Sequence, residues 1–151
     1  MIDLKRARLG DEHLIAQVYR PAKVAAMPWL PVCHTPQEDL AFFRTVMIEE
    51  QNTDLIYSDG ALAGVFTSAM GWIEQFYLLK PYWRRGIGSH LLRREMGRQS
   101  RLQFWTFARN HRAIAFYRAH GFVEAERTDG STNEEREPDI RFVWSRPAQS
   151  F

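Results

Sequence analysis

At 151 residues, with 45% hydrophobic and 25% charged residues, the chain has the size and make-up of one ordinary globular domain (1–151) able to bury a core. It has no apolar run near the ~18 residues of a membrane span, and Met1-Ile2-Asp3-Leu4-Lys5 offers neither a signal-peptide core nor the Met-Gly of myristoylation. Its one cysteine, Cys33, excludes an internal disulfide, so a reducing cytoplasm is the expected setting and Cys33 reads as a small, partly buried apolar residue.

In chain order, Ile2, Leu4, Arg6 and Arg8 alternate loosely as a short first strand. Asp11 is placed to cap a helix carrying Leu14, Ile15, Val18 and Val24 to about Met27, with Pro21 as a point of kinking or interruption. Pro28-Trp29-Leu30-Pro31 reads as an extended linker. Thr35-Pro36-Gln37-Glu38 is a capping box with proline at the first helical position, opening a helix whose stripe is Leu40, Phe43, Val46 and Met47. Leu55-Ile56-Tyr57 and Ala61 to Ala69 flank Asp59-Gly60 as a hairpin. Gly71 separates that pair from a strand at Ile73 to Leu79. A third helix runs from near Gly86 to Ser100, then a strand at Leu102 to Phe107. Asn110 caps a fourth helix ending at Gly121, and strands at Phe122 to Arg127 and Ile140 to Trp144 flank a polar loop. Mixed α/β layers are the expectation.

The strongest chemical signal lies between the strand at Ile73 and the third helix. Pro81 ends the strand, and Arg84-Arg85-Gly86-Ile87-Gly88-Ser89 leads straight into Leu91, Leu92 and Met96 at helical spacing. A helix start of this kind presents backbone amides without internal partners, and the helix dipole adds to their pull on an anion. The glycines allow close approach of a phosphate. The stretch is no Walker A loop, since no lysine follows, and no Rossmann fingerprint, since Leu91 stands at the third glycine position. Charge points the same way. From Lys80 to Arg118 there are ten basic residues and a single acid, Glu95, while the rest of the chain is net acidic. Such a concentration suits a phosphorylated cofactor or nucleic acid. His34, His90, His111 and His120 lack metal-ligand spacing and read as surface or packing residues, so no metal is expected.

A second motif, Asn110-His111-Arg112-Ala113-Ile114-Ala115-Phe116-Tyr117 through Gly121-Phe122, follows at N-x-x-A-x-x-F-Y-x-x-x-G-F spacing. Together the two segments resemble the central motifs of the GNAT superfamily, the acyl-CoA-dependent N-acyltransferases. Pro28 to Pro31 and Thr128 to Asp139 are similar to those of a bacterial subgroup. The resemblance implies a mostly antiparallel central sheet of six to seven strands with about four helices. It departs at Trp83, where the family usually has Gln or Arg.

The resemblance further implies transfer of an acetyl group from acetyl-CoA to a primary amine by direct attack in a ternary complex, with CoA as product. It places the cofactor's diphosphate on Arg84, Arg85, Gly86, Ile87, Gly88 and Ser89, and its pantetheine arm between Phe76-Tyr77-Leu78 and Phe104-Trp105-Thr106. Leu79, Asn110, Ala113, Phe116 and Tyr117 are the further cofactor contacts it implies. Its thioester carbonyl falls to the amide of Leu78, an oxyanion-type role. Tyr117 aligns with the family's general acid, and a tyrosine pKa near 10 suits a thiolate leaving group. Glu74, the sole acid between Gly60 and Glu95, shares a face with Phe76 and Leu78 by period-two alternation and is the candidate base, beside the reading of a plain surface carboxylate. The acceptor is a small-molecule amine, a protein N-terminus or a lysine, met by a monomer or homodimer without nucleic acid or membrane. Glu134, Glu135, Glu137 and Asp139 are placed to attract a cationic amine. A CoA-binding regulatory module without catalysis and a basic nucleic-acid-binding domain are the competing readings.

Overall fold

Local signals are strongest in the hairpin and the helix starts, and the architecture grows from them. The computed structural model describes residues 1–148; the last three residues of the expected 1–151 domain lie outside the described residues. Among the described residues are seven strands and four α-helices, in two compact units, the first Met1–Arg85 and the second beginning at Gly86.

The first unit is a four-stranded antiparallel sheet: β1 (Ile2–Arg6), β2 (Asn52–Ser58), β3 (Ala61–Ala69) and β4 (Trp72–Leu78), neighbours in that order. Asp59 (φ 49°) and Gly60 (φ 84°) both take the left-handed region, as a two-residue hairpin turn demands. Met70 (φ 50°) and Gly71 repeat the arrangement between β3 and β4. Helix α1 (Glu12–Ala26) runs unbroken through Pro21. Its buried residues are Ile15, Val18 and Ala22, a spacing of three and four, so Ala22 takes the inward place expected of Val24, which is 48% exposed.

Ile15 and Val18 join Phe43, Met47, Leu55 and Val65 in the core of this unit. Burying each such side chain is worth about 1.5–3 kcal/mol. Tyr19 sets its ring edge-on to Phe43 (5.0 Å) and Tyr77 (5.4 Å), tying α1 to the sheet.

Four expectations change here. Asp11 stands at the N-cap of α1 but its side chain does not cap the helix, because its carboxylate accepts from Arg8 N–H at 2.9 Å. Pro28 to Leu30 is a tight turn and not an extended linker: Leu30 N–H donates to the Met27 carbonyl at 3.1 Å, with proline pre-setting the backbone. Cys33 is exposed, because it sits in the loop after that turn. The Thr35 cap opens α2 (Pro36–Phe42) with the full reciprocal box, but the helix widens into a π-helical turn, Phe43–Ile48. Phe43 and Met47, four residues apart, are both buried in it.

The second unit holds α3 (Ile87–Arg98), β5 (Arg101–Phe107), α4 (His111–Ala119), β6 (Val123–Thr128) and β7 (Asp139–Ser145). β7 lies between β5 and β6, antiparallel to both. Phe104 centres its aromatic core, with ring centroids 3.8 Å from Tyr117, 5.4 Å from Phe122 and 5.5 Å from Phe142. The end of α3 is closed from far along the chain: the Arg146 guanidinium donates to the carbonyls of Met96 (3.0 Å), Gly97 (3.2 Å) and Gln99 (3.0 Å).

Candidate functional site

In the first unit, the end of β4 is set by its neighbour β3. Leu78 lies opposite Gly64, and Leu79 N–H donates to the Ala63 carbonyl at 2.8 Å. That bond makes Leu78–Gly64 a non-hydrogen-bonded pair, so both the N–H and the C=O of Leu78 point away from β3. Gly64 has no room to be larger: a Cβ there would stand 2.6 Å from both the Tyr77 oxygen and Leu78 Cδ2. The Leu78 carbonyl is met by Trp83, whose indole Nε1–H donates to it at 2.8 Å.

Glu74 lies nearer the start of β4, where the β3 pairing jumps from Gln75 to Ile73. The irregularity leaves Glu74 without a β3 counterpart, so the period-two count from Glu74 to Leu78 begins at a bulge. Glu74 is exposed, yet partial burial of its carboxyl raises its pKa above the ordinary carboxylate range.

After Leu78 the chain turns through a short 3-10 segment, Lys80–Tyr82. Arg84 and Arg85 follow, both exposed, with Arg84 at φ 60°, an uncommon state for a non-glycine residue. Arg85 rests over the Tyr82 ring, 5.5 Å from its centroid.

In the second unit, Gly86 (φ 80°) caps α3, and the first helical bond runs from His90 N–H to the Gly86 carbonyl. The amides of Ile87, Gly88 and Ser89 thus stand ahead of the helical ladder. A Cβ on Gly86 would meet nothing within 4 Å, whereas one on Gly88 would stand 3.1 Å from Phe116 Cζ. The two glycines serve different needs: Gly86 supplies the left-handed backbone, and Gly88 makes room for Phe116. Open space over Gly86 and the outward amides that follow it fit a phosphate group.

Ser89 is held from α4. His120 Nε2 lies 3.0 Å from Ser89 Oγ, and His120 Nδ1 lies 2.8 Å from the Phe116 carbonyl. Asn110 caps α4 by accepting from Ala113 N–H at 3.3 Å. Tyr117, one residue beyond Phe116, is 7% exposed, and burial raises its hydroxyl pKa well above the usual tyrosine value.

The expected residues therefore fall into two groups: Glu74, Leu78, Leu79, Arg84 and Arg85 in the first unit, and Gly86 to Ser89 with Asn110, Ala113, Phe116 and Tyr117 in the second. Contacts join Gly88 to Phe116 and Asn110 to Ala113. Sequence reasoning named His120 as a surface or packing residue without its bridge to Ser89, and it did not reach the Trp83 bond. The signal for His120 was its place four residues after Phe116, one helical turn from that carbonyl.

The basic stretch is partly spent internally. Glu95, 2% exposed, accepts from Arg94 (3.0 Å) and Arg98 (3.2 Å), Arg109 pairs with Glu137 (3.1 Å), and Arg118 covers the Phe142 ring. The acidic loop is likewise engaged, with Asp139 accepting from the Thr128 hydroxyl. No helix among the described residues is long and apolar enough to cross a membrane.

Residues 24–122 match the model of the Acetyltransferase (GNAT) family. No curated protein matches the chain. Among solved structures, an acetyltransferase from Thermus thermophilus is similar with a TM-score of 0.78 at 17% identity, covering 97% of each chain. The PaiA N-acetyltransferase of Thermoplasma acidophilum, in complex with coenzyme A, gives 0.74 at 16% identity, covering 97% of this chain and 99% of that one. The ribosomal-protein-S18-alanine N-acetyltransferase of Escherichia coli gives 0.65 at 17%, covering 100% and 99%. At such identities the likeness is one of fold, and it agrees with the mixed α/β, mostly antiparallel architecture expected.

Proposed function

Because the chain belongs to the GNAT acetyltransferase family, we propose that it is an N-acetyltransferase moving the acetyl group of acetyl-CoA to a primary amine by direct attack within one ternary complex. The observation that carries this reading is the start of α3, where Gly86 opens outward amides at Ile87, Gly88 and Ser89 directly after two exposed arginines. Acetyl-CoA supplies the activated acyl group. Arg84 to Ser89 would hold its diphosphate, with Leu79, Ala113 and Phe116 as further contacts and Asn110 shaping the start of α4.

Each chemical role then falls to a group with suitable properties. Leu78 N–H, directed away from β3, polarises the acyl carbonyl. Glu74 takes the proton that the attacking amine must lose; its raised pKa brings it nearer to an amine than an ordinary carboxylate. Tyr117 gives its hydroxyl proton to the departing sulfur; burial raises its pKa above the value near 10 that matches a thiolate, which makes it a weaker acid than the sequence led one to expect while keeping it protonated. The atoms balance: an N–C bond forms, the C–S bond breaks, and the amine's proton and the thiol's proton pass through separate groups.

The acceptor is a small-molecule amine or a protein N-terminal or lysine amine, met in the cytoplasm. The family match runs across both units, which supports treating the chain as one acetyltransferase domain, monomeric or paired. The internal pairing of Arg94, Arg98 and Arg109 favours a compact phosphorylated cofactor over nucleic acid.

Calorimetric titration with acetyl-CoA and with CoA, at two salt concentrations, tests the reading. Saturable one-to-one binding that weakens with salt is expected. Absence of binding overturns it, and binding with no thiol release across an amine library leaves the regulatory module in its place.

A further inference from the structure

We propose that His120 is a proton-linked positioning residue of the phosphate turn: when a diphosphate settles on the start of α3, the ring takes up one proton and releases the Ser89 hydroxyl toward the ligand. The inference rests on the acetyltransferase reading above and deepens it, adding a residue of α4 to the site that the start of α3 forms.

His120 closes α4 one helical turn after Phe116, so its ring falls beside a carbonyl of the last turn. Nδ1 lies 2.8 Å from that carbonyl oxygen, and Nε2 lies 3.0 Å from Ser89 Oγ on the first turn of α3. A carbonyl only accepts, so Nδ1 holds a proton in either charge state of the ring, and Nε2 is the site that can change. While Nε2 is bare it draws the Ser89 hydroxyl proton onto itself, and an incoming phosphate meets only the lone pairs of Oγ. Once Nε2 is protonated it donates to Oγ, and the hydroxyl proton is free to rotate toward a phosphate oxygen. The balance is one proton taken from solvent, with no other covalent bond changed.

The ring thus stands between two helix ends of opposite polarity. The C-terminal end of α4 favours an imidazolium, and the N-terminal end of α3 opposes one. A diphosphate on the α3 amides reverses the second contribution, so the complex holds the proton more tightly than the free protein does. Histidine is the side chain that ordinarily changes charge between pH 5 and 8, which puts this step in the working range. Among the described residues the ring has no carboxylate partner to charge it beforehand. The charged or titratable side chains flanking the bridge are His90 and Arg93 on α3, both exposed, and Arg118 on α4, turned over the Phe142 ring at 5.6 Å. From β7, the Trp144 ring lies beside Gly121 as an uncharged neighbour, and the Phe116 ring lies 4.6 Å from the imidazole. The sign follows: binding takes up a proton, so affinity falls as pH rises through the histidine range.

The probe is dephospho-CoA, which keeps the diphosphate and lacks the 3′-phosphate, whose own second ionisation at about pH 6 would act in the same range. Titration calorimetry at about pH 6.5, in two buffers of different ionisation enthalpy, counts the protons taken up on binding. Wild type should take up roughly 0.3–0.8 proton, and its Kd should rise about three- to tenfold from pH 6 to pH 8. His120→Gln should take up almost none and show a flat profile, and Ser89→Ala should take up less than half the wild-type amount. His90→Gln should match wild type. Binding by wild type without proton uptake overturns the proposal by itself, whether or not the variants fold. So does undiminished uptake in H120Q, its loss in H90Q, or full uptake in S89A, which would leave the hydroxyl with no part in the relay. If wild type binds neither CoA nor dephospho-CoA, the acetyltransferase reading fails first.

Discussion

His120 bridges Ser89 and the Phe116 carbonyl, with Nε2 at 3.0 Å from one and Nδ1 at 2.8 Å from the other. A carbonyl only accepts, so Nδ1 carries the proton, and a neutral ring then accepts the Ser89 hydroxyl proton at Nε2. Ser89 is thus fixed on the first turn of α3 by a residue at the end of α4. His120→Ala should weaken CoA binding by roughly 3- to 10-fold, Ser89→Ala should do likewise, and the double variant should cost less than the product of the two. Calorimetry of the three variants checks this, and full additivity would remove the coupling.

The two turn glycines should fail differently. Gly86 is left-handed with open space around its Cβ position, so Gly86→Asn should be tolerated best, Gly86→Ala next and Gly86→Val least, at a cost of about 1–2 kcal/mol or more for valine. A Cβ at position 88 would stand 3.1 Å from Phe116 Cζ, so in Gly88→Ala the ring must shift slightly. Its expected effect is weaker CoA binding with a modest change in melting temperature. A flat ranking at position 86 in thermal melts would contradict the conformational argument.

What was legible beforehand was what short stretches decide alone. Asp59-Gly60, the Thr35–Glu38 box and the Asn110 cap each depend on residues within one turn, and each formed as expected. The π-helical widening after Phe42 was not legible, since the helical stripe reads the same for either winding. Neither was the bulge at Glu74, because pairing register depends on β3 as much as on β4. Trp83 stood out as a departure from a pattern, but its bond to Leu78 exists only once the Lys80–Tyr82 turn folds back. Arg146 capping α3 is the extreme case, a contact between residues about fifty apart that no window of sequence contains.

Glu74 makes two separable predictions. As a base it must be ionised, so kcat/KM should rise with pH through a midpoint above the ordinary glutamate value of about 4.3, and Glu74→Gln should lose that limb. For stability the sign is opposite. A carboxyl whose folded pKa is raised binds more protons when folded, so stability falls as pH rises from about 4.3 through the raised value, and the loss persists above it. Glu74→Gln should therefore melt higher than wild type near neutral pH, with the gap closing below about pH 4. A rate limb with no stability gap would mean that the carboxyl is not desolvated as described.

Tyr117→Phe separates acid catalysis from packing. The ring lies 3.8 Å from Phe104 and within 5.3 Å of Phe122, and phenylalanine preserves those contacts, so the melting temperature should stay close to that of wild type. The missing hydroxyl should lower kcat by roughly 10-fold or more while CoA affinity changes little. Burial holds the hydroxyl pKa above its ordinary value of about 10, so Tyr117 keeps its proton throughout the working range. The wild-type kcat profile should then have no alkaline limb belonging to Tyr117 up to about pH 9.5. A fall centred near pH 8 that vanishes in the phenylalanine variant would mean that the hydroxyl ionises too easily to be the buried acid, and an unchanged kcat would return Tyr117 to the aromatic core of the second unit.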